Sequence, residues 1–350
     1  MKTIELRAPY LIFLGSESGL TYAKTGAGLV EWRRELCKGQ LNLPGGTIDL
    51  GLPQMTVAEA KAAGIRSLVI GTASVGGSIP DEWLDVLEEA VTLGLDIVAG
   101  VHTRLSDIDR LKTAATGTGA RLVDVRVPPA RLPVGTGKKR SGNRLLMVGT
   151  DCAVGKKYTA LQIEKDMKRL GWNADFRASG QTGIMIAGQG IPIDSVVSDF
   201  VSGAAELLSP DNTEDHWDVI EGQGGIFHPG YSAVSMGLLV GSQPDAFVVC
   251  HEAGRSHIMG WDDFELPTIN QVIERTIAIG EQTNPNITCV GVSVNTSRLK
   301  ADEREAYLTE LSSRIGLPCV DPLQGGTDSI IAQLSAVLAS RDPKLESASA

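Results

Sequence analysis

Apolar residues arrive in short runs, at 11–14, 68–70, 97–99 and 122–125, and the segments between those runs carry helical spacing. Such runs, with little polar alternation inside them, are the pattern of parallel strands covered on both faces. The alternation therefore predicts successive βαβ units. Thr56 followed by Glu59 forms a capping box and Gly64 supplies a stop, which predicts a helix over 56–63. Ser78-Ile79-Pro80-Asp81 predicts a second helix start, running to about Leu93 with an acidic first turn that suits the helix dipole.

From 127 to 142 the pattern breaks into Pro128, Pro129, Pro133, Gly135, Gly137 and the basic run Lys138-Lys139-Arg140, which reads as a solvated linker between domains. The second half restarts with a continuous apolar run at 144–148, and similar runs follow at 219–220, 246–250, 289–294 and 319–320. The expected organisation is one α/β domain over 1–135, a second over 143–340, and a flexible polar tail over 341–350.

Composition narrows the function. The chain has 350 residues, 42% hydrophobic and 21% charged, enough to bury two cores; 40 glycines against 5% aromatics suit many tight strand-to-helix turns. A formal charge of −10 disfavours nucleic acid as a partner. The N-terminus shows neither a signal-peptide core nor a spanning segment, so the expectation is a cytoplasmic protein without membrane contact. Cys37, Cys152, Cys250, Cys289 and Cys319 are odd in number and contain no C-x-x-C pair, so neither a disulfide framework nor a metal site is expected.

The strand at 144–148 runs into Gly149-Thr150-Asp151-Cys152-Ala153-Val154-Gly155-Lys156-Lys157, and an amphipathic helix follows with Leu161, Ile163 and Met167. Strand, turn and helix stand in the order that lets turn amides and a helix N-terminus face one anion, with Lys156 adding a mobile charge. Two positions depart from G-x-x-x-x-G-K-[ST]. Thr150 occupies the first glycine position, and Lys157 replaces the hydroxyl that normally holds Mg²⁺. Glu221-Gly222-Gln223-Gly224-Gly225 ends a second strand in an acid and glycines, and Asn295 ends a third, where its amide could read a base edge. These elements resemble the dethiobiotin synthetase branch of P-loop proteins, which implies a P-loop NTPase-like domain with a mostly parallel sheet.

A resemblance over nearly the whole chain is closer. An N-terminal Rossmann-like domain, then Gly149 to Lys156, Ser179-Gly180-Gln181-Thr182-Gly183 and Glu221 to Gly225, is similar to a formerly uncharacterised bacterial P-loop family whose members are described as D-glutamate N-acetyltransferases. The resemblance implies transfer of acetyl from acetyl-CoA to the amine of D-glutamate; coenzyme A carries a 3′-phosphate and a pyrophosphate, so the loop from Gly149 to Lys157 could hold it without phosphoryl transfer or Mg²⁺. The resemblance also implies a small-molecule substrate, and a homo-oligomer is expected.

Attack of an amine on a thioester needs a proton acceptor and a group facing the developing oxyanion. His251, at the end of the strand 246–250, His228 and Glu221 are the candidates. Two carboxylates on the substrate call for guanidinium forks, and Arg177 and Arg255 are the arginines nearest the candidate loops; Ser179, Gln181 and Thr182 complete the expected substrate contacts. In the first half, loops at 15–28, 71–78 and 101–103 could converge on one crevice, with Gly76-Gly77-Ser78 as an anion-binding turn. Two other readings stay open. One is an ATP- and Mg²⁺-dependent kinase or ligase using Lys156 and Glu221, and the other is a nucleotide-gated regulatory module without turnover.

Overall fold

In the computed structural model, which describes residues 4–72, 78–101 and 103–341, the apolar runs are strands and most spacers are helices. β1 (Ile4–Glu5) and β2 (Tyr10–Gly15) lead to α1 (Lys24–Trp32), β3 (Cys37–Asn42), α2 (Val57–Ala62), β4 (Ser67–Ile70), α3 (Leu84–Thr92), β5 (Asp96–Ala99), α4 (Asp109–Ala115) and β6 (Leu122–Asp124). Next come β7 (Asn143–Gly149), α5 (Lys156–Arg169), β8 (Ala174–Arg177), α6 (Gln181–Ala187), β9 (Gln189–Gly190), α7 (Val201–Leu208) and β10 (Trp217–Ile220). The remaining described elements are α8 (Ser232–Ser242), β11 (Ala246–Glu252), β12 (His257–Ile258), β13 (Trp261–Glu265), α9 (Ile269–Gly280), β14 (Thr288–Asn295), α10 (Arg304–Ile315), β15 (Cys319–Val320), α11 (Pro322–Gly325) and α12 (Asp328–Arg341). Of the tail expected over 341–350, only Arg341 lies within the described residues.

The chain divides into two compact units, Met1–Pro129 with Gly180–Ser195, and Ala130–Ser179 with Val196–Ala350. The first unit is built on a five-stranded parallel sheet in the order β3-β2-β4-β5-β6. Every residue of β2, β4 and β5 is buried, as expected for strands covered on both faces. The capping box at Thr56 and Glu59 forms, with both reciprocal hydrogen bonds present. The helix expected from Ser78 starts later. Pro80 holds an extended cap (φ −66°, ψ 146°), so helical backbone begins at Asp81, as a 3-10 turn, and α3 follows from Leu84. That turn buries Trp83, whose ring meets Phe13 edge-on at 5.2 Å. Segment 180–195 reaches this unit through β9, which pairs antiparallel with β1. Gly76, Gly77 and His102, on which the expected crevice partly depends, lie outside the described residues.

Asp96, fully buried at the start of β5, ties this unit together. Its carboxylate accepts from Arg7 Nε (2.7 Å), Arg121 Nε (2.8 Å) and the Arg121 amide (2.7 Å), and a guanidinium nitrogen of Arg7 also reaches it. Desolvation pushes the Asp96 pKa up, but these donors outweigh it and hold the group below the usual carboxylate value. The stabilisation is therefore present above the unfolded-state pKa and is lost as pH falls through the folded one. Asp96→Asn should cost the first unit about 2 kcal/mol at neutral pH, less than for a fully buried pair because both arginines are partly exposed. Denaturant titrations should show that difference shrinking in acid.

The second unit holds a six-stranded parallel sheet in the order β15-β14-β11-β7-β10-β8. β7 lies between β10 and β11, so the chain leaving it opens at the point where connections diverge to either side, the usual ligand crevice of such sheets. The basic run before β7 is not simply solvated. Arg140 donates to the carbonyls of Ser209 (2.6 Å), Gly241 (2.9 Å) and Ser242 (3.1 Å), and burial draws its pKa down to about 10. Lys139 pairs with Asp245 at 2.6 Å, while Glu206 accepts the amides of Thr136 and Gly137. These contacts anchor the segment to α7 and the start of β11, an arrangement its Pro and Gly content could not reveal. Among the described residues no helix is long and apolar enough to cross a membrane.

Candidate functional site

Gly149 closes β7, and the chain turns through Thr150 to Gly155 before α5 begins at Lys156. Ala153 (φ 55°) and Gly155 (φ 105°) are both left-handed, a pattern that lets successive amides converge on one anion. The first amides of α5 have no intrahelical acceptor by helix geometry, and they form the positive end of its dipole. Two loop amides are already used: Thr150 donates to the Cys250 carbonyl (3.0 Å) and Cys152 to Asp151 Oδ1 (2.6 Å). Those of Ala153, Val154 and Gly155 have no protein acceptor among the described hydrogen bonds.

Lys156 is buried, and its ammonium donates to the carbonyls of Asp151 (2.8 Å) and Gly224 (2.6 Å). Burial lowers its pKa, opposed by Asp151 and Glu221 among other groups. The side chain runs close to the strand ends, and a Cβ at Gly222 would lie 3.0 Å from Lys156 Cδ. Glu221, also buried, accepts the Ser179 amide at 3.0 Å, and Ser179 Oγ donates back to the Glu221 carbonyl at 2.6 Å. Gln223 Nε2 donates to the same hydroxyl at 2.9 Å. Glu221 and Ser179 thus tie the ends of β8 and β10 together beside the lysine.

Asp151 organises the other side of the loop. Its fully buried carboxylate accepts from Arg255 Nη1 (2.8 Å) and the Met259 amide (2.8 Å), besides the Cys152 amide. Arg255 also donates to the Cys152 carbonyl (2.8 Å) and to Glu252 (2.6 Å), so its fork is filled by protein. His228 is 1% exposed, with Nε2 3.9 Å from Asp151 Oδ1. Its Nδ1 accepts the amides of Gly230 (3.1 Å) and Tyr231 (3.2 Å), and its ring packs against Tyr231 and the edge of Trp261. Burial, aided by Lys156 and opposed by Asp151, lowers its pKa.

β11 runs two residues beyond the expected end at 250, so His251 lies within it, with Nδ1 3.2 Å from Thr150 Oγ1. Burial pulls its pKa from 6.5 down to about 4; Arg255 adds to this and Glu252 opposes it. The imidazole is therefore neutral at pH 7. A depressed folded pKa means stability is complete above the unfolded value near 6.5 and is lost as pH falls toward 4. Unfolding free energy should drop by about 1–3 kcal/mol over that window, and His251→Asn should flatten the drop in denaturant titrations at several pH values.

Lys157 sits with its ammonium 4.4 Å from the Tyr158 ring centroid, Val154 is buried, and Asn295 Nδ2 donates to Glu252 Oε1 at 3.4 Å. Arg177 turns to the buried Asp218 (2.6 Å), which also accepts from Ser209 (2.5 Å) and lies 3.1 Å from His216 Nε2. Gln181 and Thr182 open α6 and belong to the first unit, where Gln181 Oε1 accepts from Arg126 at 2.7 Å. Lys156, His228, His251 and Arg255 thus face the loop directly, Glu221 and Ser179 lie beside Lys156, and Asn295 connects to the loop through Glu252 and Arg255. Residues the pattern did not flag are Tyr231, Met259 and Trp261. The one available signal was an aromatic three positions after His228.

Asp151, Cys152 and His228 each bring a ligand-type atom within 4.8 Å of the other two. A metal needs a bare Nε2 on His228, with Nδ1–H directed at an acceptor. Here Nδ1 faces two amide donors, and Asp151 already accepts three hydrogen bonds, so the donor set does not fit a cation.

Residues 133–331 match the model of the P-loop domain of the DUF1611 family, and residues 42–128 match its Rossmann-like N-terminal domain. A protein of Tritonibacter scottomollicae named D-glutamate N-acetyltransferase is 46% identical over 332 residues, covering 95% of this chain and all of that protein. One of the same name from a Pseudoalteromonas species is 45% identical over 331 residues, again 95% of this chain and all of the relative. The crystal structure of a DUF1611 family protein from Anabaena variabilis superposes with a TM-score of 0.81 at 30% identity, covering 94% of this chain and all of that one. Rossmann-like and P-loop halves, each on its own parallel sheet, and likeness at full length together place this chain in the DUF1611 family, with the family of those named D-glutamate N-acetyltransferases.

Proposed function

We propose that this protein transfers acetyl from acetyl-CoA to the amine of D-glutamate, as a cytoplasmic homo-oligomer. The observation that carries the reading is the 45–46% identity, over 95% of the chain, to two relatives bearing that name. The loop supports the choice of donor. Amides at Ala153 to Gly155, the N-terminus of α5 and Lys156 suit phosphate oxygens, and coenzyme A carries three phosphates. Lys157 leaves the magnesium-binding hydroxyl position unfilled, which suits a ligand held without phosphoryl transfer.

Acetyl-CoA supplies an activated thioester. In the transfer the amine nitrogen bonds to the carbonyl carbon, the C–S bond breaks with its electron pair leaving on sulfur, and the nitrogen gives up a proton. His251 is neutral at pH 7 and is our candidate to receive that proton, with Glu221 beside Lys156 as the alternative. Arg255 holds Asp151 and so acts on the site through the loop, while Arg177, at the end of β8, holds Asp218 on β10.

The test is to incubate the protein with acetyl-CoA and D-glutamate, with L-glutamate as control, and to follow free thiol. Parallel samples with Mg-ATP are assayed for ADP. Thiol release that depends on D-glutamate is the expected result. ADP release without thiol would replace this reading with the ATP-dependent kinase or ligase.

A further inference from the structure

His228 carries a buried polar atom that the folded chain leaves unused. Among the described residues its Nε2 has no hydrogen-bond partner, although the residue is 1% exposed. Leaving a buried donor unmade costs about 1–3 kcal/mol, so an unpaired group at the mouth of a ligand loop requires a reason. The reason depends on which nitrogen bears the proton. A neutral imidazole has one N–H and one bare nitrogen. The amides of Gly230 and Tyr231 both donate to Nδ1, at 3.1 and 3.2 Å, so Nδ1 is the bare one and the proton sits on Nε2. Rotating the ring by half a turn would put a carbon in front of both amides, and the flanking rings of Tyr231 and Trp261 hold it in place. Protonating Nδ1 would set three donors against one another. The group is therefore locked as a neutral donor that can neither accept a proton at Nε2 nor readily become a cation.

The charged groups facing it are Asp151, with Oδ1 3.9 Å from Nε2, and Lys156. That separation is too long for a hydrogen bond, and both Asp151 oxygens are committed to Cys152, Arg255 and Met259. Trp261, on the β12–β13 hairpin, meets the His228 ring edge-on at 4.6 Å, and Met259 and Phe264 of the same hairpin are 51% and 48% exposed.

We infer that His228 is a fixed neutral Nε2–H donor to an oxygen of the ligand seated at the phosphate loop, and that it is not the base of the reaction. The inference deepens the acyl-transfer reading and rests on it for the identity of that oxygen, a thioester carbonyl or a coenzyme A phosphate. The tautomer itself does not depend on that reading.

The experiment is nitrogen-15 NMR of the imidazole rings in the full chain, with His228 assigned by its loss in His228→Gln. We expect the neutral Nε2–H form throughout pH 6–8 in the free protein, and a downfield shift of that proton on binding. A shift with both coenzyme A and acetyl-CoA assigns a phosphate oxygen; a shift with acetyl-CoA alone assigns the carbonyl. An Nδ1–H tautomer, a cation at pH 7, or an unmoved proton with both ligands bound would overturn the inference. The kinetic arm is independent. His228→Gln, which keeps an N–H near the same place, should hold kcat within about tenfold, while His228→Ala should lose on the order of 10²-fold, with the shape of the pH profile unchanged in both. Equal loss in both variants, with the acidic limb of the profile gone, would make His228 the base. If no thiol is released by the unaltered protein, the NMR result still decides the tautomer while the acyl-transfer reading falls separately.

Discussion

Gly222→Ala is expected to abolish the folded second unit, costing more than about 4 kcal/mol and leaving little soluble protein. A Cβ at this position would lie 1.7 Å from the Met147 carbonyl oxygen and 2.8 Å from its carbon, both backbone atoms of the central strand. Neither can yield without breaking the ladder that joins β7 to β10 and β11. Gly254 provides the control. It has φ 76° but, among the described residues, nothing within 4 Å of its added Cβ, so alanine there should cost only about 1 kcal/mol. Chemical denaturation of the two variants separates steric exclusion from backbone preference.

Asp151→Ala should be nearly as damaging, at about 3–5 kcal/mol, because it leaves Arg255 buried with one of its two carboxylate partners and frees the Met259 amide. The same change releases the Cys152 amide and loosens the phosphate loop, so ligand affinity should fall with stability. If the half-paired guanidinium is the cause, adding Arg255→Met should recover part of the lost stability, since Glu252 still has Arg298 at 3.3 Å. A double variant as unstable as the sum of the single changes would assign the effect to loop geometry instead.

The stretch from Gly149 to Lys156 was legible because a P-loop is local: strand, turn and helix are contiguous, and the chemistry lies in backbone amides that glycines leave accessible. Glu221 was legible for the same reason, as the last acid on a buried run. What the sequence hid was pairing across strands. Arg177 reads as an exposed fork at a strand end, and nothing nearby in the chain announces that Asp218, on the next strand, is buried and turned toward it. Arg255 likewise gives no sign that it spans Asp151 and Glu252. The place of Gly180–Ser195 in the first unit depends on β9 finding β1 near the start of the chain, a contact too distant in sequence for periodicity to register. His228 could be suspected of chemistry from its position, but its tautomer follows from a turn that directs two amides at Nδ1.

Calorimetric titration tests most directly the proposal that the phosphate loop holds coenzyme A without a metal. Coenzyme A should bind the unaltered protein in the absence of magnesium, and Lys156→Met should weaken it at least about tenfold, some 1.4 kcal/mol. Tight binding of Mg-ATP with no detectable heat from coenzyme A would contradict it.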